Sequence, residues 1–382
     1  MLKSKTSRRH FLANAAQCVA LSVGGVATTR SLAAQSMMQV PPDSAWGKEM
    51  RILEKNGLRE KERVVQQQDS QIQARCPKGG AQRLSLSRLR AWEDLGYGMF
   101  IHFGMATYFG LESWKGDAPA STYNPDKLDV DQWVQIARDA GMKYAVLTTK
   151  HKSGFCIWPT RYTKYNVMNS GNKTDVVEAF ILACNRRGVL PGLYYGSRDS
   201  HNGPPLGCKM PPPHSPSKVE YTTSLYQDFV RSQIDELLTQ YGPVAEFWLD
   251  APVVLGQGYR TYIYEHIASL QPERCVIMLN HGWPSDLMSY ERAMPMASSL
   301  TNWVDVKGNC YYMPGEVDIP IGKNWFYVEG DKPKPDQELL NLYLETRKRG
   351  ANLLLDVPPN EHGLISDEYR DALMRLRRNA KL

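Results

Sequence analysis

The stretch KYAVLT at residues 143–148 decides the fold of this chain. It is short, apolar and rich in residues that favour β-structure, as expected for a strand that is buried on both faces of a parallel sheet. A helical stretch follows at 175–187, Gly188 ends it as a C-terminal cap, and a second apolar run begins at Leu190. The order of strand, helix and strand predicts a βα unit.

The same βα unit recurs on both sides of this stretch. Further strands are predicted at 98–102, 190–195, 244–250, 276–279 and 352–357, and further helices at 130–140, 224–241, 259–270, 337–349 and 367–378. Residues 283–330 are rich in Pro, Gly and aromatic side chains, which predicts long loops around one or two strands. About seven or eight units in about 290 residues favour an α/β fold of the (β/α)8 TIM-like barrel type, with irregular elements, over an open doubly wound sheet. Dinucleotide-binding and P-loop motifs are missing, which excludes the usual nucleotide-binding folds.

Residues 1–34 predict a signal peptide of the twin-arginine type. The segment is basic without a single acid, an apolar small-residue run follows at 13–29, and SRRHFL at 7–12 resembles the twin-arginine motif. We therefore expect a periplasmic or secreted protein, and an amphipathic N-terminal helix is the alternative. Residues 35–90 are polar and predict an N-terminal extension with a helix over 46–73, and residues 91–382 predict the barrel.

Charge and cysteine content narrow the function classes. The chain has 46 basic and 40 acidic residues, and the basic leader accounts for most of the difference, so no nucleic-acid partner is expected. No stretch beyond the leader is apolar enough to predict a membrane span. Seven cysteines without CxxC or Cys/His spacing predict neither a metal nor a cofactor. Cys156 and Cys184 predict buried thiols, and Cys208 or Cys310 would form any disulfide.

Polar and aromatic residues stand at the ends of four consecutive predicted strands. They are His102, the run KHK at 150–152, the pair Tyr194-Tyr195, and Asp250 after Trp248. In a TIM-like barrel the active site lies at these carboxyl ends. Aromatic faces stack on a pyranose ring, and imidazole or indole N–H groups bind its hydroxyls, so the pattern predicts a sugar-binding site.

Each of these residues also has a purely structural interpretation. Asp250 would cap the next helix, although Pro252 follows it and no helix obviously begins there. His102 or His151 alone would be a core histidine, and without HxH or HExxH spacing the pair only weakly favours a metal-dependent hydrolase. The tryptophans interpreted as packing residues are Trp92, Trp133 and Trp158.

Several stretches resemble successive signatures of glycoside hydrolase family 29, the α-L-fucosidases. They are GMFIHFG at 98–104, AGMKYAVLT at 140–148, KHKSGFCIWP at 150–159, FWLD at 247–250, and NLLLDVPP at 352–359 with GLI at 363–365. The resemblance runs from about Trp92 to Ile365 and keeps the motif order. It implies a retaining exo-glycosidase that removes terminal α-L-fucose from glycans through a covalent glycosyl-enzyme intermediate.

The resemblance also implies roles for individual residues. Asp250 matches the family nucleophile. The family's acid/base is commonly a Glu a few residues before a Trp-x-Tyr pair, which selects Glu316 ahead of the WFY run at 325–327, with Glu291 second and Glu329 third. The residues implied to hold the sugar are His102, His151, Tyr195, Trp248, Glu112 and Trp114, of which the last two correspond to the family's Glu-Trp pair.

The chain departs from the family pattern at three points. Lys152 and Ser153 stand where family members carry a second histidine and an aspartate, so a cation replaces one hydroxyl-binding imidazole. Ser113 interrupts the Glu-Trp pair. The chain ends soon after the helix at 367–378, so the β-sandwich that often follows the family's barrel is not expected. Lys152 is expected to face solvent, and binding of an acidic or sulfated neighbouring sugar is the alternative.

These departures leave two other functions open. One is a related glycosidase such as an α-L-galactosidase, because L-galactose differs from L-fucose only by a C6 hydroxyl that an apolar pocket rejects weakly. The other is a catalytically silent carbohydrate-binding barrel.

Overall fold

The computed structural model describes residues 79–111, 115–209, 222–271, 275–280, 283–295 and 302–382. The strands are β1 (Tyr97–Ile101), β2 (Tyr144–Lys150), β3 (Leu190–Gly196), β4 (Glu246–Asp250), β5 (Val276–Leu279), β6 (Met288–Ser289), β7 (Trp303–Val306), β8 (Asn309–Tyr312), β9 (Gly315–Pro320) and β10 (Ala351–Asp356). The helices are α1 (Leu86–Glu93), α2 (Val130–Asp139), α3 (Val176–Arg187), α4 (Ser224–Gln240), α5 (Gln257–Leu270), α6 (Asp336–Lys348) and α7 (Asp367–Ala380). Within the described part, none of the helices is long and apolar enough to cross a bilayer. The predicted leader and the predicted helix over 46–73 lie outside the described residues.

Eight parallel strands form one nearly closed barrel sheet. Their order is β5-β4-β3-β2-β1-β10-β9-β6, and every neighbouring pair is parallel. The end strands β5 and β6 do not pair with each other; here the chain turns back, and the backbone N–H of Asp286 donates to the carbonyl of Ile277 at 2.8 Å. The predicted (β/α)8-type barrel is therefore confirmed, with an irregular seam between β5 and β6.

The barrel strands are apolar along almost their whole length because both of their faces are buried. One core fills the inside of the barrel, and a second core lies between the sheet and the helices. On β3, Leu193 belongs to the outer core and Tyr194 to the inner one, as the two-residue period of a strand requires. Trp133 and Trp158 are buried in the outer core and Trp92 in the inner one, which confirms all three as packing residues.

Helix α1 closes the lower end of the barrel, where the strands begin. Ser85 caps the helix, since its hydroxyl accepts a hydrogen bond from the backbone N–H of Arg88 at 3.2 Å. Leu89 and Trp92 are buried in the inner core, and the Trp92 ring centroid lies 6.0 Å from that of Tyr144 at the start of β2. The helix crosses residue 90, the predicted border between extension and barrel, so residues on both sides of this border pack on the same core.

The described part of the segment predicted as long loops around one or two strands contains four strands. Strands β7 and β8 form an antiparallel hairpin outside the barrel, and β6 and β9 complete the barrel sheet. Strands β6, β7 and β8 have only two to four residues each, too few to show a clear periodicity in the sequence. Cys310 on β8 is disulfide-bonded to a residue outside the described ones, whereas Cys156, Cys184, Cys208 and Cys275 are free.

Candidate active site

A pocket opens at the carboxyl ends of the barrel strands. Its volume is about 280 Å³, at the small end of the range for small-molecule sites and suited to a single sugar ring. The residues that line it are Phe100, His102, His151, Lys152, Tyr194, Arg198, Trp248, Asp250, Ala251, Val253, Asn280, Glu291, Asp318 and Trp325. The sequence-predicted site residues Glu112 and Trp114 lie outside the described residues.

Asp250 ends β4 with its carboxylate in the pocket. The Tyr194 hydroxyl donates to Oδ2 at 2.8 Å, and the Asn280 amide Nδ2 donates to Oδ1 at 3.0 Å. The short 3-10 helix Pro252–Leu255 follows, but no side chain caps it, so capping does not explain Asp250. Ala251 turns the chain at φ 49°, in the left-handed region that a residue other than glycine seldom adopts. Asp250 is thus an oriented carboxylate that faces the cavity.

Glu291 brings a second carboxylate into the same pocket. The backbone N–H groups on either side of it donate to carbonyls of β9 at 2.7 and 2.9 Å, which fixes the chain at this point. Nδ2 of Asn280, already bonded to Asp250, lies 3.2 Å from Oε2 of Glu291. The two carboxylate oxygens that share this nitrogen are therefore at most about 6 Å apart, which brings the two carboxyl groups together at the same cavity.

Glu316, the predicted acid/base, does not line this pocket. It is the second residue of β9, near the lower end of the strand, and it is fully buried. Tyr144 donates its hydroxyl hydrogen to Oε2 at 2.7 Å, and Trp248 donates Nε1–H to Oε1 at 3.1 Å. Because Trp248 itself lines the cavity, its indole lies between Glu316 and the cavity. Glu329, the third candidate, is exposed and does not line the cavity either.

Glu246 and Glu316 form a buried carboxyl pair beneath the pocket. Burial raises the pKa of Glu316 to about 7, although hydrogen bonds from Tyr144 and Trp248 act to lower it. Burial, and then the negative charge of Glu316, raise the pKa of Glu246 well above its ordinary value. The two acids titrate as one system that keeps a proton at neutral pH.

This pair predicts that the folded protein loses stability as the pH rises. A group with a raised pKa binds more protons in the folded than in the unfolded state, so its stabilisation is complete below the ordinary pKa of about 4.5 and is lost as the pH passes about 7. We expect Glu246→Gln to weaken the fall in melting temperature between about pH 5 and pH 8, because Gln cannot ionise. Thermal unfolding at both pH values measures this, with exposed Glu368→Gln as the control. An unchanged fall in Glu246→Gln would contradict it.

Asp318 is a third carboxyl group at the pocket, and the sequence predictions missed it. It stands two residues after Glu316 on β9, so it faces the same side at a higher level and lines the cavity. The Ser289 hydroxyl donates to its Oδ1 at 3.1 Å. Burial raises the pKa of Asp318 well above its ordinary value, and the charge of Glu316 adds to this shift. The alternation Glu-Val-Asp within an otherwise apolar run is the signal that could have revealed it.

His102 and His151 lie side by side in the pocket wall. Their ring centroids are 5.6 Å apart, and Nδ1 of His102 is 2.8 Å from Oδ1 of buried Asp356, which fixes the orientation of that ring. The His151 ring stacks near Tyr194 at 5.7 Å. In the part of the chain that the structure describes, no group of three or more His, Cys, Asp or Glu side chains could hold a metal ion. The arrangement suits hydroxyl binding.

Tyr194, and not the predicted Tyr195, reaches the pocket. Adjacent residues of a strand face opposite sides, so only one of the two tyrosines can face the barrel interior. Tyr194 pairs with Trp248 in the sheet register and lies in the inner core. Tyr195 points outward, is fully buried, and donates its hydroxyl hydrogen to Gln233 on α4 at 2.8 Å. Tyr195 is therefore a packing residue.

We expect Tyr194→Phe to lower kcat/KM roughly 10- to 100-fold, because the lost hydroxyl fixes the Asp250 carboxylate and small displacements of reacting groups are costly. The matched control is Tyr195→Phe, which removes a hydroxyl from the other face of the same strand and should lower the melting temperature while leaving kcat/KM close to that of the wild type. Steady-state kinetics and thermal unfolding of both variants test this prediction. Equal kinetic losses in the two variants would contradict the assignment.

Two basic side chains, Lys152 and Arg198, also line the pocket. Both are half-buried. Lys152 therefore faces the cavity, whereas the sequence predicted that it faces solvent. Arg198, two residues beyond the end of β3, was not predicted. The pair adds positive charge to a wall that otherwise carries carboxyl groups.

A buried ion pair joins the loops that carry these two residues. Nζ of Lys150 is 2.9 Å from Oδ2 of Asp199, and both side chains are fully buried. Asp199 also accepts a hydrogen bond from the backbone N–H of Asn202 at 2.7 Å, which shapes the loop after β3. Replacement of one partner alone would leave an uncompensated buried charge and would therefore destabilise the protein.

Taken together, the fold and the site define the class of protein to which this chain belongs. A sugar-sized, aromatic-lined pocket at the carboxyl ends of a (β/α)8-type barrel, with two carboxylates that share one amide donor, is the arrangement of barrel glycoside hydrolases. The family described as Alpha-L-fucosidase matches residues 64–378, and the chain belongs to this family. The family resemblance predicted from the sequence motifs is thereby confirmed.

Individual relatives agree with this assignment. Alpha-L-fucosidase 1 of Arabidopsis thaliana is 33% identical over 308 residues, which cover 75% of this chain and 58% of the plant protein. Plasma alpha-L-fucosidase of Homo sapiens is 25% identical, over 79% of this chain and 71% of the human protein. The structure of alpha-L-fucosidase isoenzyme 1 from Paenibacillus thiaminolyticus matches with a TM-score of 0.66 and 26% identity, over 77% of this chain and 75% of that chain. This chain spans less than two thirds of the length of the Arabidopsis relative.

Proposed function

We propose that this protein is a retaining exo-α-L-fucosidase that hydrolyses terminal α-L-fucosides of glycans, with Asp250 as the nucleophile and Glu291, in place of Glu316, as the acid/base. The observation that carries the proposal is the amide of Asn280, whose Nδ2 donates to both carboxylates and keeps their oxygens within about 6 Å. Two carboxyl groups held at one cavity are the pair that a retaining glycosidase needs, one to attack the anomeric carbon and the other to transfer the proton.

The reaction then proceeds in two displacement steps at the anomeric carbon. In the first, an oxygen of Asp250 bonds to the anomeric carbon while the bond to the glycosidic oxygen breaks, and protonated Glu291 gives its proton to that oxygen. In the second, Glu291 takes a proton from water, and the water oxygen replaces Asp250 at the anomeric carbon. Each step inverts the anomeric carbon, so the released sugar has the configuration of the substrate.

The aromatic and imidazole side chains of the pocket suit a deoxysugar. Phe100, Trp248 and Trp325 give the pocket aromatic faces for the apolar side of the ring and its C6 methyl group. His102 and His151 bring ring N–H groups that can bind hydroxyls. This division supports a fucose-sized ligand.

Hydrolysis of aryl glycosides by the full chain tests the proposal. We expect turnover of an aryl α-L-fucoside, with α-L-fucose as the first product seen by proton NMR. The β anomer as first product would exclude the covalent intermediate. Preference for an aryl α-L-galactoside would favour the related glycosidase, and binding of L-fucose without turnover of either substrate would favour the silent barrel.

We also propose that the protein is exported to the periplasm or secreted. The basic leader with its twin-arginine motif supports export, and so does the disulfide of Cys310, because such bonds persist in oxidising compartments. Fractionation of cells that make the full chain tests this against a variant with Arg8→Lys and Arg9→Lys. Equal export of the two proteins would contradict a twin-arginine route.

A further inference from the structure

One buried acceptor in the pocket, Oδ1 of Asn280, receives no hydrogen bond from the described residues. Asn280 directly follows β5, is only 3% exposed, and lines the cavity. Its backbone N–H donates to the carbonyl of Leu249 at 3.0 Å, so sheet pairing holds the residue in place. A buried acceptor without a donor is unfavourable, and folded proteins keep one mainly where another molecule supplies the donor.

The Asp250 carboxylate decides which way this amide faces. Nδ2 donates to Oδ1 of Asp250 at 3.0 Å and to Oε2 of Glu291 at 3.2 Å. An amide rotated by half a turn would set its carbonyl oxygen against Asp250, which is ionised as the nucleophile and has no proton to donate. Oδ1 of Asn280 therefore points away from both acids and is the end of the amide that can meet a ligand.

We propose that Asn280 contacts the substrate: its Oδ1 accepts a hydrogen bond from the C2 hydroxyl of the bound sugar while its Nδ2 holds the nucleophile and the acid/base. This inference rests on the proposed function. The amide nitrogen is 3.0 Å from the carboxylate that attacks the anomeric carbon, so Asn280 lies beside that carbon. The anomeric carbon has two ring neighbours, the ring oxygen, which has no proton to donate, and C2, which carries a hydroxyl.

This contact would favour the transition state over the bound substrate. Positive charge develops at the anomeric carbon as the glycosidic bond breaks, which makes the adjacent C2 hydroxyl a better donor. A hydrogen bond that strengthens along the reaction raises the rate and does not only tighten binding. Asn280 thereby selects for sugars that carry a free C2 hydroxyl.

A cycle of protein and substrate changes tests the inference. The kcat/KM of wild type and Asn280→Ala is measured on an aryl α-L-fucoside and on its 2-deoxy analogue, so that intrinsic reactivity cancels. We expect the preference for the C2 hydroxyl to be on the order of 10-fold or more smaller in Asn280→Ala than in the wild type. Asn280→Asp, which retains an acceptor and loses both donors, should be slower on both substrates and keep more of the preference. Asn172→Ala, outside the pocket, should keep the wild-type ratio.

The outcomes separate this inference from the proposed function. Equal losses of Asn280→Ala on both substrates, with wild-type thermal unfolding, would overturn the contact and leave the fucosidase proposal standing. Failure of the wild type to hydrolyse either substrate and to bind L-fucose would overturn both. A reduced preference in Asn280→Ala with near-native unfolding supports the contact.

Discussion

Asp250→Gly should lower kcat for an aryl α-L-fucoside by about 10⁴-fold or more, because loss of a nucleophile removes a step that no other group can perform. The protein should remain folded. Asp250 is at the end of a strand, and the two described side chains that bind its carboxylate are held by backbone pairing, Tyr194 within β3 and Asn280 directly after β5. The measurement is steady-state kinetics beside thermal unfolding. Asp228→Asn, on the exposed side of α4, serves as the control for a change of charge elsewhere.

Azide added to Asp250→Gly gives a sharper result. A small anion that fills the vacated position can attack the anomeric carbon from the same side as the missing carboxylate, so the product should be β-L-fucosyl azide. Recovery of turnover with this product identifies the position as that of the nucleophile. A folded Asp250→Gly that is as active as the wild type would remove Asp250 from the mechanism.

Glu291→Gln should show a loss that depends on the leaving group. An acid contributes about 10²- to 10⁴-fold to a step in which it transfers a proton. Natural fucosides release a poorly acidic alcohol and need that proton, whereas activated aryl fucosides need it little. We therefore expect the larger loss in kcat/KM on a disaccharide and the smaller loss on a nitrophenyl fucoside. The ratio of the two losses is the measured quantity.

Glu316→Gln is the matched control for that experiment. It makes the same chemical change in the layer beneath the pocket, where Trp248 separates the side chain from the cavity. We expect Glu316→Gln to change the dependence of stability on pH and to lower kcat/KM by similar factors on the disaccharide and on the nitrophenyl fucoside. A leaving-group dependence in Glu316→Gln but not in Glu291→Gln would restore the acid/base that the sequence predicted.

The barrel itself was predictable because its local signals agree with one another. Every strand and helix predicted over 98–279 and 337–378 lies within two residues of its expected bounds. Cap residues are the reason for this accuracy. Gly188, for example, ends α3 with φ 70°, and its backbone N–H donates a hydrogen bond to the carbonyl of Cys184. Strands β6, β7 and β8, which lie in the segment rich in Pro, Gly and aromatic residues, carry no such signal and were not separated from loops.

The site was predictable only in part. The local sequence shows where a strand ends, but it does not show which side chains at that end face the inside of the barrel. The rule that polar residues at strand ends form the site places His102, His151 and Asp250 in the pocket. The choice between Tyr194 and Tyr195 needs the register of β3 against β4, in which Tyr194 lies beside Trp248. That register is set by packing across the whole barrel.

The acid/base shows a different limit. Glu316 fits the spacing of the family motif, but spacing along the chain does not fix height within the barrel. Glu316 lies near the lower end of β9, at the bottom of the barrel. Glu291 follows β6 at the top of the barrel, where its carboxylate accepts a hydrogen bond from Asn280. Asn280 itself directly follows a predicted strand, so the strand-end rule would have found it had it been extended to the fifth strand.

The helix beneath the barrel sets a limit on how far this chain can be shortened. Leu89 and Trp92 keep solvent away from Glu246 and Glu316, whose shared proton depends on dry surroundings. A truncation that removes α1 would hydrate this layer, and two like charges would then form directly under the indole that floors the pocket. Expression boundaries for this protein should therefore fall ahead of Ser85, and a shorter chain that hydrolyses an aryl fucoside at neutral pH would show that α1 is dispensable.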